Sequence, residues 1–594
     1  MSASIMAAAG GGRATKLFVA AIDFGTTYSG YAFSSYDDFQ KEPQKINANV
    51  WNAGAAALMS HKTPTALLLN TDQSFNSFGF EAETKYAELA EEDEEELDSL
   101  FYFHRFKMVL HKNPKLRRTT KIKDEKGKEV SALKVFSESI RYLKNHLFDS
   151  IKGKVIGIHE SDLHYVITVP AIWDDSAKQF MREAACQAGI KTNQLSIALE
   201  PEAASIYCQH LNIEKSQECG QVTLKRTKAG TQYMVLDLGG GTADITVHER
   251  QYDNSLKELW PASGGPWGGK SIDDAFSEFV EDIFVSKSKD QTVLETLRQE
   301  SMEDYIGLFR EFETKKRSIT SEKSGKVSIT LPVALVEVVK RCSEDSVENC
   351  LAKSKYSEVK FSKQKLQMPA DTFRKLFQPT VDGIVNLIDE ILSEKSLRDV
   401  ETVLMVGGFA ECELVQKAIR NKFPKKRIIV PEEAGLAVLK GAVLFGHMPK
   451  TVSARVARYT YGIQSWPMWN EDLHPVSKKV ILDGVARCKD VFFKFVERGQ
   501  QVRAGHEMSQ VFQALKPEEN SLECSIYIST DTDPSFVDDP SCSQLGVLTV
   551  PIPSNRLSNC IQVEETMVFG ETELLVRARD LGTNQLYEAT FDCL

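Results

Sequence analysis

The hydrophobic positions of this chain follow two rhythms, and the change falls near residue 449. Before it, short buried-strand patterns alternate with stretches of helical period. Aliphatic runs stopped by Gly or Pro predict strands at 19–22, 66–69, 165–169, 195–199 and 403–406. Helical spacing predicts helices over 137–148, from a cap at 174–176 through Phe180, Met181 and Ala184, and from Glu200 onward with Pro201 in the first turn. Further helices are expected over 272–284, 305–319 and 413–423, and from 432–434 through Ala442 and Phe445. Strands alternating with helices define an α/β architecture. From Tyr459 the helical period is gone. Short strands at 491–496, 521–529, 547–552, 561–569 and 573–578 predict a β-sandwich of about 140 residues. The expected organisation is a disordered Ala/Gly-rich start at 1–15, an α/β domain at 16–448, a short linker at 449–454 and the sandwich at 455–594.

Composition narrows the class. A chain of 594 residues is too long for one ordinary core. Hydrophobic content of 42% and charged content of 26% describe a globular protein. The net charge of −11 argues against a broad nucleic-acid or anionic-membrane surface. The eleven cysteines are scattered with no C-x-x-C pair, which fits reduced thiols better than a disulfide framework or a zinc site. No run is long enough to span a bilayer and the start lacks a basic signal-peptide region, so a cytoplasmic location is expected. The acidic run at 91–96 reads as a solvated helix face or loop, and the basic stretch at 112–128 as a solvated hairpin turning at 124–127.

Candidate chemistry gathers on two glycine turns. In 234–247 an apolar run leads to Asp237, then Gly239, Gly240, Gly241, Thr242 and Asp244, then a second strand-like run. Alone this is an ordinary tight hairpin or a cradle whose bare N–H groups approach phosphate oxygens. The carboxylates suit a hydrated Mg²⁺ bridging to the phosphate. A second copy decides between them. In 19–32, Asp23, Gly25, Thr26, Thr27 and Tyr28 repeat the pattern, with Asp23 in register with Asp237 and Gly25 with Gly239. A duplicated strand–Asp–Gly–strand unit predicts two similar lobes with nucleotide phosphates between their hairpins. A further glycine-rich turn spans 263–270, and Glu313, Lys316 and Arg317 share one helix face.

These motifs, in this order, resemble the actin-like ATPase superfamily and within it the 70-kDa heat-shock chaperones. The likeness covers 16–448 and, more weakly, 455–594; residues 103–110, Trp173 and the absence of a helical lid resemble the family's divergent member-12 branch. The resemblance implies that Thr26, Thr27 and Tyr28 contact the β- and γ-phosphates, with Gly25, Gly239, Gly240 and Gly241 in the two phosphate turns. It implies Asp23 and Asp237 holding Mg²⁺ through its waters, and Glu200 near the attacking water with Thr242 and Asp244 orienting it. By the same resemblance Gly268, Gly269 and Lys270 would lie by the phosphates and ribose, Glu313, Lys316 and Arg317 would clamp adenine and ribose, and Gly407 and Gly408 would form the adenosine motif. Such chemistry is mostly positioning and charge stabilisation.

The departures from the family temper this. The family's catalytic lysine falls near His104 and Arg105; His104 takes the position, leaving Arg105 or Lys107 to supply the charge, with Arg105 the candidate. Phe409 and Glu411 stand where the family has a hydroxyl and a basic residue at the adenine site, so Phe409 is expected to stack on the base and Glu411 to repel phosphate or select another base contact. Hydrolysis is therefore expected to be slow. The family's leucine-rich linker is replaced by polar, basic residues at 446–455, leaving no evident element for nucleotide to bias. The lid and the acidic tail that recruits co-chaperones are not expected.

Three functional classes fit: a chaperone-related weak ATPase that binds polypeptide or protein partners through the sandwich, a nucleotide-gated interaction protein without refolding activity, and a sugar-type kinase on the same fold. The β-rich C-terminal part argues against the kinase.

Overall fold

The structure is a computed structural model that describes residues 16–594 without 53–58, 93, 112, 114, 211–227, 288–290, 483, 514–520, 552–561, 583, 585 and 588–590. The start expected to be disordered lies outside the described residues, as do Ile552 and Ile561 at the ends of two expected strands.

Two sheets with one strand plan frame the α/β part. In the first, Phe18–Phe24 has Leu163–Val169 and then Leu195–Leu199 as parallel neighbours on one side. On the other side it turns back antiparallel into Tyr28–Ser35, followed by Asn47–Ala48. In the second, Gln232–Leu238 has Val400–Val406 and then Arg427–Ile429 in parallel, and Ala243–Arg250 and then Leu256–Gly265 antiparallel. The sequence repeat is thus a repeat of architecture.

Each sheet is covered on both faces. Val19 and Val166 of the first sheet and Val235 and Leu404 of the second share a cluster with Ala203 and Tyr207 of helix Glu200–His210 and Leu439 and Val443 of helix Ala437–His447. The alternate residues face outward: Ile22 and Ile167 meet Phe136 and Phe180, while Leu236 and Met405 meet Phe276 and Phe312. Covering both faces is why these strands are continuous apolar runs. Each fully buried Val, Leu or Phe contributes about 1.5–3 kcal/mol of transfer free energy.

Several elements differ from expectation. The helix expected at 137–148 runs over Ala132–Lys152, because Ala132, Leu133 and Ile151 extend its buried stripe. Ser263 to Gly265, expected in a turn, close the strand Leu256–Gly265, and the next helix starts at Gly269. The last helix is preceded by the 3-10 turn Ala434–Leu436 and starts at Ala437, not at 432–434.

The segment 449–454 is not a bare polar linker. After the turn Pro449–Thr451, Val452–Val456 is a strand. It pairs in parallel with Leu256–Gly265 and antiparallel with Gln501–Arg503, extending the second sheet to seven strands. Val452 and Ala454 are buried; Arg455, whose charge disguised the strand, pairs with Glu202 at 2.7 Å. Beyond it, a five-stranded sheet containing Thr460–Ser465, Ser521–Ser529 and Cys542–Pro551 and a four-stranded sheet containing Gln562–Phe569 and Leu575–Asp580 share one apolar cluster. Ile463, Ile526 and Leu548 come from the first, Val563, Met567 and Val576 from the second.

Candidate functional site: a cleft between two glycine hairpins

The two duplicated turns face each other. A Cβ on Gly240 would stand 2.2 Å from Thr27 Oγ1, and one on Gly241 2.6 Å from Thr26 Oγ1. Only glycine allows this approach. Two further segments close on the second turn. Lys270 N donates to Gly240 O at 2.7 Å and Gly269 N to Gly239 O at 3.2 Å. Gly407, at φ 87°, brings the end of Val400–Val406 against Asp237, where a Cβ would meet Oδ1 at 2.5 Å.

Between the lobes lies a cavity of about 1030 Å³. Every site residue expected from the sequence lines it except Asp244 and Gly268. Asp244 is buried behind it and accepts Ile172 N–H at 3.1 Å. Gly268 packs on the backbone of Gly240 and Gly241. The phosphate-type turns, the carboxylates, Glu313 and Arg317, and Gly407 to Phe409 are therefore brought together.

One end of the cavity concentrates charge. Asp23 and Asp237 lie at the ends of the paired first strands, Asp244 on the return strand and Glu200 at the start of the helix that follows Leu195–Leu199. Asp23 accepts Thr168 Oγ1 at 2.8 Å and pairs with Lys62 Nζ at 2.6 Å. Burial resists its ionisation, but the charge and hydrogen bond of Lys62, the charge of Lys107 and the Thr168 hydrogen bond together outweigh this and hold its carboxyl below the usual range. Burial, then the charges of Glu200, Asp244 and Asp23, push Asp237 well up. Burial also raises Asp244, against hydrogen bonds from Thr242 and Ile172. Burial pushes Glu200 up to about 7, with Lys107 Nζ at 2.7 Å acting in the opposite sense.

Four carboxyl groups thus share two lysines, and three of them are held toward their neutral forms, so a cation would stabilise their ionised forms here. Among the described residues no three His, Cys, Asp or Glu are arranged to ligate a metal ion directly. The donor set fits a cation that keeps its own water shell, as Mg²⁺ does.

Arg105, expected to supply the charge, lines the cavity and is engaged within its wall. It takes a left-handed conformation, φ 53°, at the head of the 3-10 turn Phe106–Leu110, and its guanidinium pairs with Asp273 at 2.7 Å. Lys107, two residues on, is the buried cation at Glu200 and lies over the Trp173 ring at 5.1 Å. Sequence reasoning missed Lys62, Asp273 and Thr168. No local signal marks them, because their partners come from distant segments.

The other end is more apolar. Ile319, Phe377, Phe409, Leu436 and Val438 line it, with exposed Glu411 also on its wall. Phe409 packs half-buried on the second lobe's core. Arg317 pairs with Glu313 at 2.7 Å and lies 5.4 Å over the Tyr28 ring, so it reaches across the cleft. Lys316 is buried between Asp273 and Glu313, each at 2.6 Å, and serves as a structural cation under this wall. Lys270 pairs with Asp274 at 2.7 Å.

A duplicated α/β body with facing glycine turns defines the class, and comparison with known proteins agrees. The chain belongs to the Hsp70 family: the family described as Hsp70 protein matches residues 93–466. That family implies an actin-like ATPase fold and, in general, nucleotide and Mg²⁺ binding. Heat shock 70 kDa protein 12A of Mus musculus is 34% identical over 98% of this chain and 92% of its own length. Heat shock 70 kDa protein 12A of Homo sapiens is 34% identical over 97% and 92%, and heat shock 70 kDa protein 12B of Homo sapiens 34% over 97% and 91%. The likeness groups the chain with the divergent, member-12 type of the family. Among the described residues no helix is long and apolar enough to cross a membrane.

Proposed function

We propose that this protein binds Mg-ATP between its two lobes, hydrolyses it slowly, and engages polypeptide or protein partners through its two C-terminal sheets acting as a β-sandwich. One observation carries the nucleotide reading: a single cavity has facing glycine turns, the carboxyls of Asp23, Asp237 and Glu200 and two lysines at one end and an apolar wall with Arg317 at the other. The first end suits phosphates and a cation, the second a base and ribose. The N–H groups of the two turns and the hydroxyls of Thr26 and Thr27 hold phosphate oxygens. Asp23 and Asp237 hold Mg²⁺ through its waters; when bound, the ion offsets charge on the phosphates and on the carboxylates around it.

Glu200 accepts the proton of the attacking water, with Thr242 and Asp244 orienting it. The water oxygen bonds to the γ-phosphorus as the bond to the β-bridging oxygen breaks, leaving ADP and inorganic phosphate. Turnover is slow because Glu200 is shared with Lys107 and Arg105 is turned to Asp273.

The test is phosphate release beside ATP affinity. Glu200→Gln is expected to lower release about a hundredfold while leaving affinity within about threefold. Unchanged release in Glu200→Gln contradicts the hydrolytic role. A wild-type protein that binds ATP yet releases no phosphate is a nucleotide-gated interaction protein instead.

A further inference from the structure

The two lysines at the carboxylate cluster are not equivalent. Lys107 is 3% exposed, held by Glu200 and capped by the Trp173 ring. Its ammonium is committed to positioning Glu200. Lys62 is more open, with 21% of its side chain accessible, and among the described residues its ion pair is with Asp23 Oδ2 at 2.6 Å.

The backbone around Lys62 is stitched to the first hairpin. Thr63–Pro64 pairs with Tyr28 and Ser29. Thr65 N donates to Thr27 O at 2.9 Å, and Thr65 Oγ1 donates to Gly25 O at 2.8 Å. Ser60 Oγ donates to Lys62 O at 2.7 Å, fixing the turn from which the side chain leaves. The ammonium is thereby referenced to the turn of Gly25 to Thr27, on a four-carbon stem long enough to change partners. Lysine binds phosphate as a compact point charge that needs no planar counterpart.

We propose that Lys62 is a catalytic residue of this chain, the cation that contacts the terminal phosphate of the bound nucleoside triphosphate. This rests on the nucleotide reading above. In the nucleotide-free protein Lys62 neutralises Asp23. With Asp23 given over to a hydrated divalent cation, the Lys62 ammonium would be free to turn to the γ-phosphate oxygens, where charge must be stabilised as the phosphoryl group leaves. Lys62 therefore reads triphosphate against diphosphate. Lys107 does not, because it remains with Glu200.

Equilibrium titration of the full chain with ATP and with ADP, in Mg²⁺, tests the assignment. Lys62→Met is expected to weaken ATP binding about tenfold or more, the worth of a charge-assisted hydrogen bond, while ADP affinity stays within about twofold. Lys62→Arg keeps the charge and is expected to recover part of the ATP affinity. Thermal unfolding of each variant reports whether it is folded, and Lys62→Gln provides a second neutral variant if Lys62→Met is not. Equal loss for ATP and ADP, or no loss for either, overturns the role of Lys62 and leaves nucleotide binding standing. Wild-type protein that binds neither nucleotide overturns both.

Discussion

Glu200 and Glu565 are buried carboxyls pushed to the same value, about 7, by the same first cause, burial, and they differ in what surrounds them. Glu200 opens on a cavity beside a lysine. Glu565 lies on the core side of Gln562–Phe569 with Val563 and Met567, near the Cys524 thiol, and among the described residues it makes no ion pair. The first is a base poised near neutrality, so phosphate release should rise with pH through the neighbourhood of 7. A rate independent of pH between about 5 and 8 contradicts that role. The second is a liability. Its folded pKa exceeds the ordinary carboxyl value near 4.5, so the protonated form favours the fold. That stability is present below about 4.5 and lost as pH rises through about 7. Glu565→Gln should therefore gain on the order of 2–3 kcal/mol over wild type near pH 8 and little below about pH 5, read from urea unfolding at both. An equal difference at both pH values contradicts this account. At this scale the carboxylates Asp23 and Asp237 were legible because each sits on one copy of a repeat. Lys62 was not, because it meets Asp23 39 residues away in sequence.

Among the elements, the strand Val452–Val456 carries the greatest consequence. Arg455 makes two bonds of 2.7 Å to Glu202 and also reaches Gly570 O, while Val456 N donates to Glu258 Oε2 at 2.8 Å. Burial, then the charge of Glu202, push Glu258 up to about 8. Arg455 thus counters two buried acids where the α/β part meets the C-terminal sheets. Arg455→Ala should cost about 3–5 kcal/mol in denaturant unfolding, much of it from stranding Glu202, and Glu202→Gln added to it should recover part of that loss. A loss below about 1 kcal/mol means that the pair contributes no more than a surface bridge. The sequence concealed this strand because only Val452 and Ala454 show an inward alternation and Ser453 and Arg455 read as linker. The hairpin strands were plain, since burial on both faces leaves an unbroken apolar run.

Across the whole molecule, the repeat and the change of rhythm near residue 449 announced a duplicated body and an all-β remainder. How the parts meet was not legible, because the contacts join residues hundreds of positions apart. Arg182 pairs with Glu573 at 2.5 Å and Arg118 with Asp592 at 2.9 Å. Ile172 donates its N–H to Asp244 and accepts Arg458 on its carbonyl, so one residue touches both the carboxylate cluster and the C-terminal part. The central claim, however, concerns the cleft itself, and it is tested most directly by calorimetric titration of the wild-type chain with ATP, with and without Mg²⁺, beside Asp237→Asn. Asp237 is held toward its neutral form by burial and by its acidic neighbours, so the amide should fold as well as the acid. The account predicts that Mg²⁺ tightens ATP binding to the wild type at least about tenfold and that Asp237→Asn abolishes this Mg²⁺ dependence. Absence of ATP binding, or a Mg²⁺ effect unchanged in Asp237→Asn, contradicts it.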